Sequence, residues 1–205
     1  GAEKRTLVTL DQIPEYVVWA TITAEDRKFY EHGGIDIKGI MRAIFIDVVT
    51  LSRAQGASTI TQQLVKNAIL TNEKTFTRKF KEVILSLALE RRYTKDEIMQ
   101  LYLNEIPYGS RNYGIQSASD SYYGLAVEEL SLAQAATLAS LPKAPTTYLN
   151  NPDQLETRRN WILQSMADLE HITQDEADIA MAEDTTISIE YNDIEAPHFV
   201  LWVKE

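Results

Sequence analysis

Glu25-Asp26-Arg27-Lys28-Phe29-Tyr30-Glu31-His32-Gly33-Gly34-Ile35-Asp36 sets acids, an aromatic pair and a glycine turn side by side. Gly56-Ala57-Ser58-Thr59-Ile60-Thr61-Gln62-Gln63-Leu64-Val65-Lys66-Asn67 reads as a polar helix start carrying amides and a lysine. Together they suggest a site for a sugar joined to a phosphate. Glu25 and Glu82, from two different elements, supply the carboxylate pair that acid/base work at an anomeric carbon requires. Arg78 and Lys79 lie at i−4 and i−3 from Glu82 on the same side of a helix. Ser58, Gln62 and Lys66 recur at i, i+4 and i+8, with Gln63 and Asn67 beside them, while Ile60, Leu64 and Ala68 take another face. Amides and a lysine beside a capped helix start can hold phosphate oxygens. Lys74, Arg78 and Lys79 join Lys66, a set of cations suited to a diphosphate.

Each feature also has a plain structural reading. Glu82 could be a surface pair with Arg78, Asp26 an exposed partner of a nearby Lys or Arg, and the 58–67 stripe a solvated amphipathic face. For His32, packing or capping before Gly33 outweighs titration. His171 and His198 read as incidental. No histidine spacing supports a metal site, and neither a Ser-His-Asp arrangement nor a phosphate loop of the Gly-x-x-x-x-Gly-Lys type is present.

The 205 residues suffice for one sizeable core. Hydrophobic content of 44% and charged content of 24% are ordinary for a soluble globular domain. Absence of cysteine excludes disulfides and thiolate–metal sites. A net charge of −10 argues against nucleic acid as the main partner. The charge is uneven: between 53 and 95 only Glu73, Glu82 and Glu90 oppose Arg53, Lys66, Lys74, Arg78, Lys79, Lys81, Arg91, Arg92 and Lys95. Such a basic patch can attract a specific anion locally. Arg91 and Arg92 are better read as solvent-facing residues near a helix C-terminus. No apolar run approaches the ~20 residues needed to span a bilayer. Gly1-Ala2-Glu3-Lys4-Arg5 is not a signal peptide.

These residues must be positioned by helices. Pro14 opens a first helix that is predicted to end near His32-Gly33-Gly34. Asp36 can cap a second, running to about Ser52, whose apolar residues on nearly every face imply burial or lipid contact. Ser58 or Thr59 can cap a third, to about Leu70. Residues 71–77 read as a mobile loop. A long helix from about Thr77 to Tyr93 carries Phe80, Val83, Ile84, Leu87, Ala88 and Leu89 on one face. Thr94-x-x-Glu97 and Thr173-x-x-Glu176 are capping boxes. Residues 104–114 read as loop, and further helices are predicted near 115–123, 128–140, 155–171 and 174–183. Residues 186–191 alternate like a strand, and 195–198 look like a linker.

Five motifs in order, over roughly residues 10–175, resemble the family 51 peptidoglycan glycosyltransferases. Glu25-Asp26-x-x-Phe29-x-x-His32-x-Gly34-x-Asp36 is similar to the first, and the Gly56–Asn67 segment to the second. Arg78-Lys79-x-x-Glu82 is similar to the third. Ile98-x-x-Leu101-Tyr102-Leu103-Asn104 with Tyr108-Gly109 resembles the fourth. The run from Ala136 to Tyr148, followed by Arg158-Arg159-Asn160, resembles the fifth. Ala196-Pro197-His198-Phe199-Val200 is similar to the segment that follows this domain in bifunctional class A penicillin-binding proteins.

The resemblance implies an all-α, lysozyme-like, bilobal fold with a head and a smaller membrane-proximal jaw at about 35–58. The glycosyltransferase domain would occupy 1–185, and 186–205 would begin a linker toward a transpeptidase domain. It implies polymerisation of lipid II with inversion and release of undecaprenyl diphosphate, at the extracytoplasmic face of a bacterial membrane. Glu25 would be the general base, and Glu82 would aid departure of the diphosphate or hold a divalent cation (Mg or Mn), the one cofactor implied. Lys66, Lys74, Arg78 and Lys79 would stabilise diphosphate charge. Ser58, Gln62, Gln63 and Asn67 would position sugar and phosphate, and Asp26 would support Glu25 or orient substrate. The implied partners are lipid II, the growing lipid-linked glycan, the membrane surface through the 37–51 helix, and cell-wall synthesis proteins. A general base works best near the ambient pH, so Glu25 should be shielded and shifted upward. A lytic transglycosylase or muramidase would not use the cation cluster, and a non-catalytic lipid II-binding module would leave Glu25 without a task.

Overall fold

A computed structural model describes residues 4–37, 58–69 and 76–187. The apolar helix expected at 36–52, Lys74, most of the 71–77 loop, the 186–191 strand past Ile187, and the 195–198 linker with His198 lie outside the described residues.

The architecture is all-α with one small sheet. The helices are α1 (Glu15–Glu25), α2 (Ile60–Ala68), α3 (Phe76–Arg92), α4 (Lys95–Glu105) and α5 (Ile115–Tyr123). They are followed by α6 (Leu132–Ser140), α7 (Pro145–Asn150), α8 (Pro152–Asp168) and α9 (Gln174–Ala182). Four of them begin with capping boxes: Thr59–Gln62, Thr94–Glu97, Ser131–Gln134 and Thr173–Glu176. In each, the hydroxyl accepts an N–H of the first turn while the Gln or Glu side chain reaches back, so two otherwise orphaned donors are satisfied. Of the two caps possible for α2, Thr59 is the one used.

The 104–114 stretch, expected as loop, holds β2 (Pro107–Gly109) and β3 (Asn112–Tyr113). With β1 (Lys4–Arg5) they make a three-stranded sheet in the order β1-β3-β2, β1 parallel and β2 antiparallel to β3. Asn104 ties the N-terminal segment down: it accepts from the Val8 N–H at 2.9 Å and donates to the Val8 carbonyl at 2.8 Å.

Two packed clusters organise the helices. The larger centres on Tyr102, Tyr108, Phe29, Ile22, Ile60 and Ile98, all essentially without solvent contact. Burying each such side chain favours folding by roughly 1.5–3 kcal/mol. The second is built of Ala20, Ala133, Ala136 and Ala139 with Ile162, Leu163 and Met166. Small residues there let α1, α6 and α8 pack closely.

One expectation needs correction. The first helix stops at Glu25, well before His32-Gly33-Gly34. Asp26 leaves the helical region at φ −161°, ψ 79°. Its carboxylate accepts the Ile60 N–H, and that long-range bond turns the chain out of the helix. The apolar residues read on one face of α3 are not all buried. Phe80, Ile84 and Leu87 are exposed, and the buried line is Glu82 and Ser86. That polar line faces α2, where the charged machinery lies. Among the described residues no helix is long and apolar enough to cross a membrane.

Candidate active site

Glu25 is the last residue of α1, and three neighbouring elements surround its carboxylate. From α2, Gln63 Nε2 donates to Glu25 Oε2 at 2.9 Å. Glu25 Oε1 is buried and, among the described residues, has no hydrogen-bond partner. From α8, Arg158 donates to the Ala24 carbonyl at 2.9 Å, next to the carboxylate. Its guanidinium lies 4.3 Å from the Trp161 ring centre. Burial pushes the Glu25 carboxyl above the usual carboxylate range; the Gln63 hydrogen bond and the charges of Arg158 and Lys143 pull back against it, and Asp26 adds to the rise. The direction matches the shielded base expected from the sequence. A buried carboxyl whose proton affinity is raised, with one oxygen open, is equipped to take a proton from a bound hydroxyl.

Asp26 braces the loop. It is buried, accepts the Ile60 N–H at 3.1 Å, and meets His32 Nε2 at 2.8 Å. His32 Nδ1 accepts the Gly34 N–H at 3.2 Å, so Nε2 carries the proton that goes to Asp26. Of the packing or capping expected for His32, no helix end is there to cap, since α1 stops at Glu25; the imidazole instead ties Asp26 to the Gly34 turn. Gly34 has φ +86°, and a Cβ there would sit 2.9 Å from Glu90 Cγ and 3.1 Å from the Ser86 carbonyl. Its own carbonyl accepts from Thr59 Oγ1 at 2.7 Å. The loop after Glu25 is thereby clasped to the start of α2.

On α3, Glu82 is buried and its Oε1 is salt-bridged by Lys79 Nζ. Lys79 also donates to Ser58 Oγ at 3.2 Å. Three residues singled out in the sequence, Ser58, Lys79 and Glu82, therefore meet. Glu82 is not at the surface: it is inside, and Lys79 bridges it. Gln62 is buried, and its Oε1 accepts the Thr59 N–H in the α2 cap. Lys66 and Asn67 are exposed further along α2. Lys74 lies outside the described residues.

A cation at Glu82 finds little support in the donor set. Among the described residues no group of three or more His, Asp or Glu side chains converges to hold a metal ion. Glu82 already shares its carboxylate with Lys79. These residues do not fit a resident, protein-held metal ion.

Four residues near the site were not marked as functional by sequence. Tyr102 donates to Gln63 Oε1, Arg158 and Lys143 bear on Glu25 electrostatically, and Glu90 accepts from Lys95 at 2.8 Å and from Thr61. Tyr102 stands in the fourth motif and Arg158 in the Arg-Arg-Asn stretch of the fifth; for Lys143 and Glu90 only the fold reveals the proximity.

Fold and site together define a helical domain built around a buried carboxyl group with an upward-shifted proton affinity. A family model described as Transglycosylase matches residues 1–167. The chain is 46% identical over 177 residues to penicillin-binding protein 1F of Bacillus subtilis, an overlap of 85% of this chain and 25% of that protein. It is 46% identical over 185 residues to penicillin-binding protein 1A of Escherichia coli, an overlap of 89% and 22%. A solved structure of penicillin-binding protein 1A from Haemophilus influenzae is similar in fold, with a TM-score of 0.55 at 24% identity, covering 91% of this chain and 18% of that one. The chain belongs to the transglycosylase family, family 51 of the peptidoglycan glycosyltransferases. It spans about a quarter of the length of the curated relatives it matches.

Proposed function

We propose that this domain polymerises lipid II into β-1,4 glycan strands, with Glu25 as the general base. The observation that carries the reading is the Glu25 carboxylate, with Oε2 held by Gln63 and Oε1 buried without a partner. Oε1 takes the proton of the acceptor 4-hydroxyl as that oxygen bonds to the anomeric carbon of the growing chain. The anomeric carbon–phosphate oxygen bond breaks, the configuration inverts, and undecaprenyl diphosphate leaves with the bonding electrons. Lys79, half exposed and bound to Glu82 and Ser58, is placed to meet the departing charge. Glu82 orients that lysine. Lys66 and Arg78, with Lys74 as the family resemblance implies, stabilise the diphosphate charge, and Gln62, Gln63 and Asn67 position sugar and phosphate. A divalent cation would arrive with the substrate diphosphate; every proton and charge above is handled by side chains.

The elevated Glu25 would equally suit the acid of a lytic enzyme. Family membership and the lysine-paired Glu82 favour synthesis, since cleavage of a glycan releases no diphosphate. The domain is assigned to 1–185, with 186–205 leading toward a further domain, as in the bifunctional relatives. We place it at the outer face of the bacterial membrane, with the 37–51 segment at the lipid surface. The test is polymerisation of labelled lipid II in detergent by wild type and Glu25→Gln. Polymer from wild type alone supports reaction and base together. Polymer from both removes Glu25 as base, and lipid II binding without polymer from either favours a binding module.

A further inference from the structure

Tyr102 has no solvent exposure and sits at the middle of α4, in the core. Its hydroxyl is nonetheless aimed at the site. It donates to Gln63 Oε1 at 3.2 Å, long for an O–H···O bond, and Gln63 Nε2 donates in turn to Glu25 Oε2 at 2.9 Å. The three groups form a line from the core to the carboxylate.

We infer that Tyr102 is a positioning residue for the base: its phenol fixes the Gln63 amide in the orientation that caps Glu25 Oε2 and leaves Oε1 as the proton-accepting oxygen. The inference rests on Glu25 being the base.

The reason lies in the two-faced chemistry of an amide. A glutamine can turn over and exchange its oxygen and nitrogen at little steric cost. With Nε2 toward Glu25 it donates to a carboxylate and favours the ionised base. With Oε1 toward Glu25 it repels a carboxylate and favours the protonated acid, which has a hydrogen to give. A tyrosine hydroxyl that stays protonated selects between the two, because it needs an acceptor and Oε1 is the one in reach. Burial raises the Tyr102 hydroxyl well above its usual range, with the charges of Glu25 and Asp26 adding to the rise, so it remains a donor. A phenylalanine would fill the same core space and lose the selection.

Other charged and titratable groups also act on Glu25: Arg158 from α8, Lys143 from the turn before α7, and Asp26 next in the chain. Tyr108 from β2 feels Glu25 in return. None of these contacts Gln63 in the described structure, so Tyr102→Phe leaves them in place.

The test is a carboxyl ¹³C titration of Glu25 in wild type, Tyr102→Phe, Gln63→Leu and the double variant. Tyr102→Phe should move the Glu25 midpoint upward by about one pH unit, the order expected when a hydrogen bond to a charged group is lost. Gln63→Leu should move it upward at least as far, and adding Tyr102→Phe to Gln63→Leu should change nothing more. The acid limb of the lipid II polymerisation rate should follow the midpoint, with the Tyr102→Phe rate recovering at high pH and KM unchanged within about twofold. A purely structural role would lower the rate equally at all pH and leave the midpoint alone. An unmoved midpoint in Tyr102→Phe, or a further shift in the double variant, overturns the inference. Persisting polymerisation by Glu25→Gln instead removes the base assignment, whatever the titration gives.

Discussion

Two buried charged side chains, Arg159 on α8 and Glu25 at the end of α1, are treated in opposite ways. Arg159 is 3% exposed, and each of its five N–H groups finds an acceptor. Nη1 donates to the Glu183 carbonyl at 2.9 Å and to Thr185 Oγ1 at 2.8 Å. Nη2 donates to the Met181 carbonyl at 2.9 Å and reaches Glu156 at 3.4 Å, and Nε donates to Asn160 at 2.9 Å. Glu25 has one bonded oxygen and one bare one. Arg158, next in sequence to Arg159, resembles Glu25 in this respect: its Nε is buried without a partner among the described residues. A saturated buried charge fastens the 181–185 segment to α8. An unsaturated one is less stable and keeps its reactivity. The contrast separates what holds this domain together from what it does.

The largest effect that would sharpen the contrast is Glu25→Gln. Turnover should fall by about 10²–10⁴-fold, the usual worth of an acid/base group. Stability should move the other way. Burial raises the Glu25 pKa above the ordinary carboxylate range, so the folded state holds this proton more tightly than the unfolded chain. That contribution is fully present below the unfolded value and is lost as pH rises through the folded one. The Gln variant should therefore gain on wild type between pH 4.5 and neutrality, seen as a rising difference in Tm. A neutral-pH loss of stability would mean that Glu25 is a structural charge after all and would break the comparison.

Arg159→Met is next. It strands three backbone or hydroxyl acceptors and should cost about 3 kcal/mol in a denaturant melt, with kcat of the folded fraction unchanged. A loss of kcat without a loss of stability would reverse the roles of the two charges.

The smallest pair compares caps. Thr173 caps α9 in solvent, and Thr173→Ala should cost about 1 kcal/mol. The buried Thr59 caps α2 and also donates to the Gly34 carbonyl, so Thr59→Ala should cost about 2 kcal/mol and slow turnover as well. Equal costs would show that the Gly34 clasp contributes nothing.

The helices were legible because their signals are local. The boxes at Thr94 and Thr173 start helices where the sequence places them. The carboxylates, Ser58 and Lys79 were legible from residue type and motif. What failed was whatever depends on distant partners. The end of α1 is set by a bond from Asp26 to Ile60, while the nearby glycines advertise a local stop. Which face of α3 is buried could not be read either: Phe80, Ile84 and Leu87 are exposed, and burial falls on Glu82 and Ser86. Strands of two or three residues carry no alternation to read. Tyr102 reads as core, and it is core; only its hydroxyl belongs to the site.

The double clasp of Asp26 to Ile60 and Thr59 to Gly34 has a consequence for how the site can move. It joins the base to the helix carrying Gln63 at both ends of the interval between Ile35 and Ser58. The setting of the base is thereby yoked to the setting of its hydrogen-bond donor: α2 cannot shift without dragging Asp26, the residue next to Glu25.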